Sequence, residues 1–240
     1  MNWIIVIIII VVVLLILISL GIFLYVRYRD NKNISTFTPI NTDSLNYANI
    51  TDDYDKPFVI KNFIEPSKCQ EIIANCQNKL FDSEVISGKN AKIRNSQQCW
   101  IPKNDPMVLN MFENISKQFG IPFENAEDLQ VVRYLPGQYY NEHHDACCDN
   151  TDKCREFISR GGQRKLTVLI YLNNEFEGGC TYFKNLDLRA KPSTGDALVF
   201  YPLGKNVNKC HPLSLHAGMP VTSGEKWIAN IWFRENRFRY

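Results

Sequence analysis

The chain has 240 residues, with 27 Lys and Arg against 25 Asp and Glu, a formal net charge of +2, 45% apolar residues and eight cysteines. A balance this close to neutral, with no concentrated basic face, excludes nucleic acid as an evident partner. The patterned part is long enough for one core domain of ordinary size, and it contains no internal repeat and no nucleotide-binding glycine fingerprint.

In chain order, residues 3–26 come first: they carry no charge and run almost unbroken through Ile, Val and Leu. At about 1.5 Å per helical residue such a stretch can cross a hydrocarbon layer of about 30 Å. A cleaved signal peptide usually has a shorter apolar region ending at small residues, whereas this one runs into Arg27, Tyr28 and Arg29. The expectation is a transmembrane signal anchor over 1–26, a polar Asn-, Thr- and Ser-rich stalk over 27–53, and a folded domain over 54–240. Acceptor sequences at Asn33, Asn49 and Asn114, with the cysteines, point to a single-pass protein whose domain is lumenal, of endoplasmic reticulum type. Arg27, Arg29 and Lys32 after the anchor point to the opposite orientation.

The first predicted helix, over 63–80, starts at Glu65-Pro66-Ser67 and has one face of Cys69, Ile72, Ile73, Cys76 and Leu80. The second opens at Asp105-Pro106 and runs through Val108, Leu109, Phe112 and Ile115 to Gly120. Cys69 and Cys76 stand about 10 Å apart along one helix and cannot bridge to each other. From Leu129 the pattern changes to short runs rich in Val, Ile, Tyr, Phe and Trp, at 129–135, 165–172, 180–183, 196–201 and 226–233. This is a mainly β fold with packed α-helices, best satisfied by a double-stranded β-helix, or jelly roll, preceded by one transmembrane helix.

Four histidines fall in two places. His143 and His144 sit beside Asp145, and His211 and His216 lie some seventy residues later. Two neutral imidazoles and one carboxylate on one face of an octahedron are what a non-haem Fe(II) oxygenase requires. His143-x-Asp145 supplies two ligands from one extended segment and His216 the third, whereas His144 points away and His211 precedes the distal block in a loop. Ten residues beyond His216, Lys226 begins a strand on which it shares a face with Ile228, Asn230 and Trp232. Periodicity leaves two readings of Lys226: a pocket cation awaiting an anion, or a lysine guarding a sheet edge.

The segment from Tyr134-Leu135-Pro136-Gly137-Gln138-Tyr139-Tyr140 to His143-His144-Asp145 resembles the signature of the prolyl 4-hydroxylases. Further matches follow in family order: Arg164-Lys165-Leu166-Thr167, Gly178-Gly179-Cys180-Thr181-Tyr182-Phe183, Gly195-Asp196-Ala197-Leu198-Val199-Phe200, and His216 to Lys226, ending in Trp232. Weaker similarity extends upstream through Arg94-Asn95-Ser96 and Trp100.

The resemblance implies that His143, Asp145 and His216 bind Fe(II). Lys226 would pair with a carboxylate of the cosubstrate 2-oxoglutarate, helped by Tyr134 and Thr181, and Tyr140, Arg164 and Trp232 would line a groove that seats the proline. It further implies O2 as second cosubstrate, ascorbate as the reductant that rescues oxidised iron, and a proline-rich or collagen-like polypeptide as substrate. The last follows because relatives that sense oxygen typically carry arginine where Lys226 stands. Hydroxylation of lysine or another side chain, and a membrane-tethered binding module without turnover, are the competing readings. The loop with Cys147, Cys148 and Cys154 fits a local disulfide better than zinc, since adjacent cysteines do not easily share one ion.

Overall fold

The computed structural model describes residues 3, 16–21, 53–85, 88, 90–205 and 208–240. The chain divides into two units, Met1–Ser35 and Thr36–Tyr240. In the first, the described residues 16–21 are helical. No helix among the described residues is long and apolar enough to cross a membrane. This overturns the single-pass assignment, and with it the membrane as a partner and the lumenal location. A span requires roughly 20 residues, and apart from residues 3 and 16–21 the sequence-expected anchor, like the stalk up to residue 52, lies outside the described residues.

The second unit is built on a seven-stranded sheet in the order β1-β10-β6-β13-β4-β3-β2, antiparallel throughout. Its strands are β1 (Phe58–Ile60), β2 (Phe81–Asp82), β3 (Gln97–Ile101), β4 (Leu129–Tyr134), β6 (Arg164–Tyr171), β10 (Ala197–Phe200) and β13 (Lys226–Arg234). A four-stranded sheet in the order β5-β11-β8-β9 joins β5 (Tyr140–His143), β11 (His216–Gly218), β8 (Thr181–Phe183) and β9 (Leu188–Ala190). A two-stranded ribbon pairs β7 (Phe176–Gly178) with β12 (Val221–Gly224). Among the described residues three α-helices complete the unit: α1 (Pro66–Cys76), α2 (Leu109–Phe119) and α3 (Asp152–Ser159).

Strand alternation divides the apolar side chains between two cores. Trp227, Ala229, Ile231 and Phe233 of β13, with Val131, Leu166, Val168 and Ile170, pack beneath Ile72 of α1 and Phe112 and Ile115 of α2. Ile228 of β13, with Val132, Tyr134, Leu169, Tyr171, Phe183 and Phe200, forms a second core shared by the large and small sheets. Proline at the first turn starts α1, and Gly120 with φ 65° ends α2, the positive φ being cheap only for glycine.

Cysteine pairing follows this layout. Cys76 at the end of α1 bridges to Cys99 on β3, Cys147 to Cys154, and Cys148 to Cys210, while Cys69 is free and buried. The local bridge expected in the 147–154 loop is therefore present. Among the described residues two clusters of metal-ligand types besides His143, Asp145 and His216, namely His144 with Cys148 and Cys210, and Asp149 with Cys147 and Cys154, have their cysteines held in these bridges.

Replacing Phe233, which is fully buried under the helices, with alanine is expected to cost about 3–5 kcal/mol. Urea unfolding monitored by circular dichroism would read this as a lower midpoint at unchanged slope.

Candidate active site

The centre of the site is a cross-strand pair. His216 on β11 stands opposite His143 on β5, and the two rings lie 4.3 Å apart between centroids. Asp145 sits two residues beyond His143, past the end of β5 rather than on it. Its Oδ1 is 3.6 Å from His143 Nε2 and 4.0 Å from His216 Nε2.

Each of these three residues is oriented from behind. His143 Nδ1 lies 2.8 Å from the Asn141 carbonyl oxygen, and His216 Nδ1 lies 2.9 Å from that of Ser214. A carbonyl can only accept, so both Nδ1 atoms carry the proton and both Nε2 lone pairs face the pocket. Burial, and then the neighbouring His216, hold the His143 pKa well below its usual value, which keeps the ring neutral as a metal ligand requires. Asp145 Oδ2 accepts from Thr167 Oγ1 at 2.8 Å and from Trp232 Nε1 at 3.0 Å, leaving Oδ1 for the pocket. Burial raises the carboxyl's pKa, but His216, His143, Arg164 and the Trp232 hydrogen bond outweigh it and bring it to about 2. The ligand atoms of all three residues lie within 4.8 Å of one another. Two imidazoles and one carboxylate on a single face suit Fe(II) and leave open positions.

Lys226, the first residue of β13 in the large sheet, lines the same pocket from the opposite side. It is 2% exposed, its Nζ donates to the Gly179 carbonyl at 2.6 Å, and it lies over the rings of Tyr134 and Tyr171 at 5.1 and 5.3 Å. Among the described residues no carboxylate forms an ion pair with it. Burial lowers its pKa to about 8, with Lys191 adding to the effect and Cys180 opposing it. A buried cation without a counter-ion is costly unless a ligand supplies the anion. The edge-guard reading of this lysine therefore fails. Gly179 allows the approach: its φ is +62°, and a Cβ there would stand 3.2 Å from Lys226 Cδ. Thr181 Oγ1 is 2.8 Å from Tyr171 OH, whose proton goes to the Ala190 carbonyl at 3.1 Å. Thr181 and Tyr134 both line the pocket with Lys226.

A groove of about 630 Å³ adjoins the pocket, and Tyr140, Arg164 and Trp232 lie on its wall. Tyr140 stacks on the His143 ring at 3.5 Å, and the Arg94 guanidinium lies 4.7 Å over Tyr140. Arg164 grips Glu127 through Nε at 2.7 Å and Nη2 at 2.8 Å, and its guanidinium lies 3.5 Å over the Trp232 ring. Strict alternation would put Arg164 on the helix side with Leu166 and Val168. The β13–β6 ladder, however, passes from Phe233–Leu166 to Arg234–Arg164, and this bulge turns Arg164 into the groove. Sequence reasoning missed Thr167, which holds Asp145, and Glu127, which accepts from both Arg164 and Arg234 at 2.7 Å. Thr167 was visible as the end of the Arg-x-x-Thr run, but nothing marked Glu127, one of two adjacent acids before a strand. His144 turns to Ser214 Oγ at 3.0 Å, and His211 bonds Asp53 at 3.1 Å while stacking on Tyr54. Neither belongs to the triad.

Two imidazoles and a carboxylate beside a buried, anion-seeking lysine, set between the two sheets of a jelly roll, define a 2-oxoglutarate- and Fe(II)-dependent oxygenase. The family model described as the 2OG-Fe(II) oxygenase superfamily matches residues 129–234. A protein of Acanthamoeba polyphaga mimivirus named "Putative prolyl 4-hydroxylase" is 70% identical over 196 residues, covering 82% of this chain and 81% of the relative. Prolyl 4-hydroxylase 1 of Arabidopsis thaliana is 32% identical over 198 residues, covering 74% and 68%. The crystal structure of a viral collagen prolyl hydroxylase from Paramecium Bursaria Chlorella virus-1, in complex with 2OG, superposes with a TM-score of 0.60 at 33% identity, covering 74% of this chain and 95% of that one. The chain belongs to the prolyl 4-hydroxylase family. It is accordingly a dioxygenase that uses Fe(II), 2-oxoglutarate and O2, and ascorbate is typical of that family.

Two outcomes test this geometry. Trp232→Phe keeps the aromatic face but removes the hydrogen bond to Asp145 Oδ2, and should weaken Fe(II) or Mn(II) binding about 10–100-fold in a metal titration. Lys226 with a pKa of about 8 must be charged to hold a carboxylate. Above pH 8 the free protein must take up a proton on binding, so 2-oxoglutarate affinity should fall about tenfold per pH unit there. Isothermal calorimetry across pH 7–10 would show the break, and Lys226→Met should abolish it.

Proposed function

We propose that the protein hydroxylates carbon 4 of peptidyl proline in proline-rich or collagen-like polypeptides, using a domain that spans residues 54–240. The observation that carries this reading is the continuity of three features: the His143–Asp145–His216 triad, the unpaired Lys226 in the same pocket, and an adjoining open groove walled by aromatics. The names of the relatives support the prolyl assignment.

Bound Fe(II) would couple the decarboxylation of 2-oxoglutarate, giving succinate and CO2, to the insertion of the second oxygen atom of O2 into a C–H bond. The residues supply position and exclusion of water. His143 and His216 present Nε2, and Asp145 presents Oδ1, to the metal. Lys226 Nζ pairs with the distal carboxylate of 2-oxoglutarate, a charge-assisted contact in a dry site, with Thr181 and the Tyr134 hydroxyl beside it. Val132, Leu169 and Ile228, buried in the core between the sheets, exclude water from this end. Tyr140 and Trp232 offer flat faces to the proline ring, and Arg164 holds Trp232 in place by stacking on it.

With iron, ascorbate and 2-oxoglutarate supplied, Pro-rich or Gly-x-Pro peptides should stimulate succinate release and gain one oxygen atom on proline by mass spectrometry. Oxygen found on lysine instead, or succinate release indifferent to every such peptide, would overturn the prolyl reading.

A further inference from the structure

The groove carries a row of buried amides with a single direction. On β3, Cys99 and Ile101 enter the core under the helices, so Gln98 and Trp100 face the groove. Asn230 Nδ2 donates to Gln130 Oε1 at 3.0 Å, and Gln130 Nε2 donates to Gln98 Oε1 at 2.7 Å. With its oxygen occupied, Gln98 ends the row in an amino group, and among the described residues no hydrogen bond takes up its two protons. Gln98 is only 3% exposed and lines the groove. A buried donor facing a cavity calls for an acceptor from a ligand.

Three of the groove's arginines are committed. Arg164 is held by Glu127, and Arg234 by Glu127, Phe157 and Gly162. Arg94 gives Nε to Ser96 Oγ and Nη1 to the Glu84 carbonyl.

We propose that Gln98 is a specificity-determining residue whose Nε2 donates to a backbone carbonyl of the bound polypeptide, selecting an extended proline-rich segment. The inference deepens the prolyl reading above and rests on it. A polyproline II segment makes no internal hydrogen bonds, and proline has no N–H. Such a segment therefore presents more backbone acceptors than donors, and a groove that recognises it does so best with donors. Trp100 shares the Gln98 face of β3, is 38% exposed, and lies 6.3 Å from the Trp232 ring. It supplies the aromatic surface on which polyproline II segments dock.

The test is calorimetric titration of a proline-rich decapeptide into the full protein loaded with Fe(II) and 2-oxoglutarate without oxygen, paired with steady-state kinetics in air. Gln98→Glu keeps an oxygen for Gln130 but replaces the donor with an acceptor. Gln98→Met keeps the volume and removes both, and serves if the first variant does not fold. The expected result is a peptide Kd and peptide KM raised about tenfold or more, with the KM for 2-oxoglutarate within twofold of the parent. A peptide Kd within twofold of the parent in the folded variants overturns the role of Gln98. So does a 2-oxoglutarate KM that rises in step with the peptide KM, which marks a structural role. If the unsubstituted protein neither binds nor hydroxylates proline-rich peptides, the prolyl reading itself fails, and this inference falls with it.

Discussion

The carboxylate of Asp145 is divided between two tasks, and the site depends on that division. Its Oδ2 is tied to Thr167 on β6 and Trp232 on β13, while its Oδ1 faces the two histidine Nε2 atoms. The residue follows the end of β5 in the small sheet but is held by the two central strands of the large one. One side chain therefore fixes how the metal-binding face of the small sheet meets the cosubstrate face of the large sheet. A rotation of the carboxylate would exchange a ligand for a structural acceptor, and both hydrogen bonds resist it.

The same division joins the metal pocket to the groove. Trp232 gives its N–H to Asp145 and its ring face to Arg164, and Arg164 is anchored by Glu127. Glu127 is buried, which raises its pKa, but Arg164 and Arg234 outweigh that and keep it ionised. The contacts run without a break from a buried acid through a guanidinium and an indole to the carboxylate proposed to hold the iron. A polypeptide seated as proposed against Trp232 or Arg164 would touch groups that also orient Asp145, so groove substitutions are expected to perturb metal affinity and peptide affinity together.

Where local chemistry dictates structure, the sequence was legible. The alternation on β13 divided Lys226, Ile228, Asn230 and Trp232 from Trp227, Ala229, Ile231 and Phe233; the structure turns the first set towards the pocket and the second beneath the helices. The apolar strands and α1 and α2 were readable because each buries a periodic face. β5 and β11 were not, because Tyr140–His143 and His216–Gly218 are short and carry functional residues in place of Val and Ile. The inward turn of Arg164 was hidden by a bulge, which shifts parity without any composition signal. Glu127 was hidden because its two arginine partners come from β6 and β13, far along the chain. Cys148–Cys210 was hidden for the same reason, since pairing across 62 residues has no local cue.

That bridge changes the topology of the metal site. Along the backbone, His143 and His216 are 73 positions apart, and a metal joining them would close a ring of that size. Through Cys148–Cys210 the path is five residues on one side and six on the other. Wherever β5 and β11 part, the cross-link would make a bound ion part of a small chelate ring, lowering the closure entropy by about 1.7 kcal/mol on the logarithmic scaling with loop length. The oxidation state of two cysteines outside the triad would thereby help to set how readily a bound ion is retained.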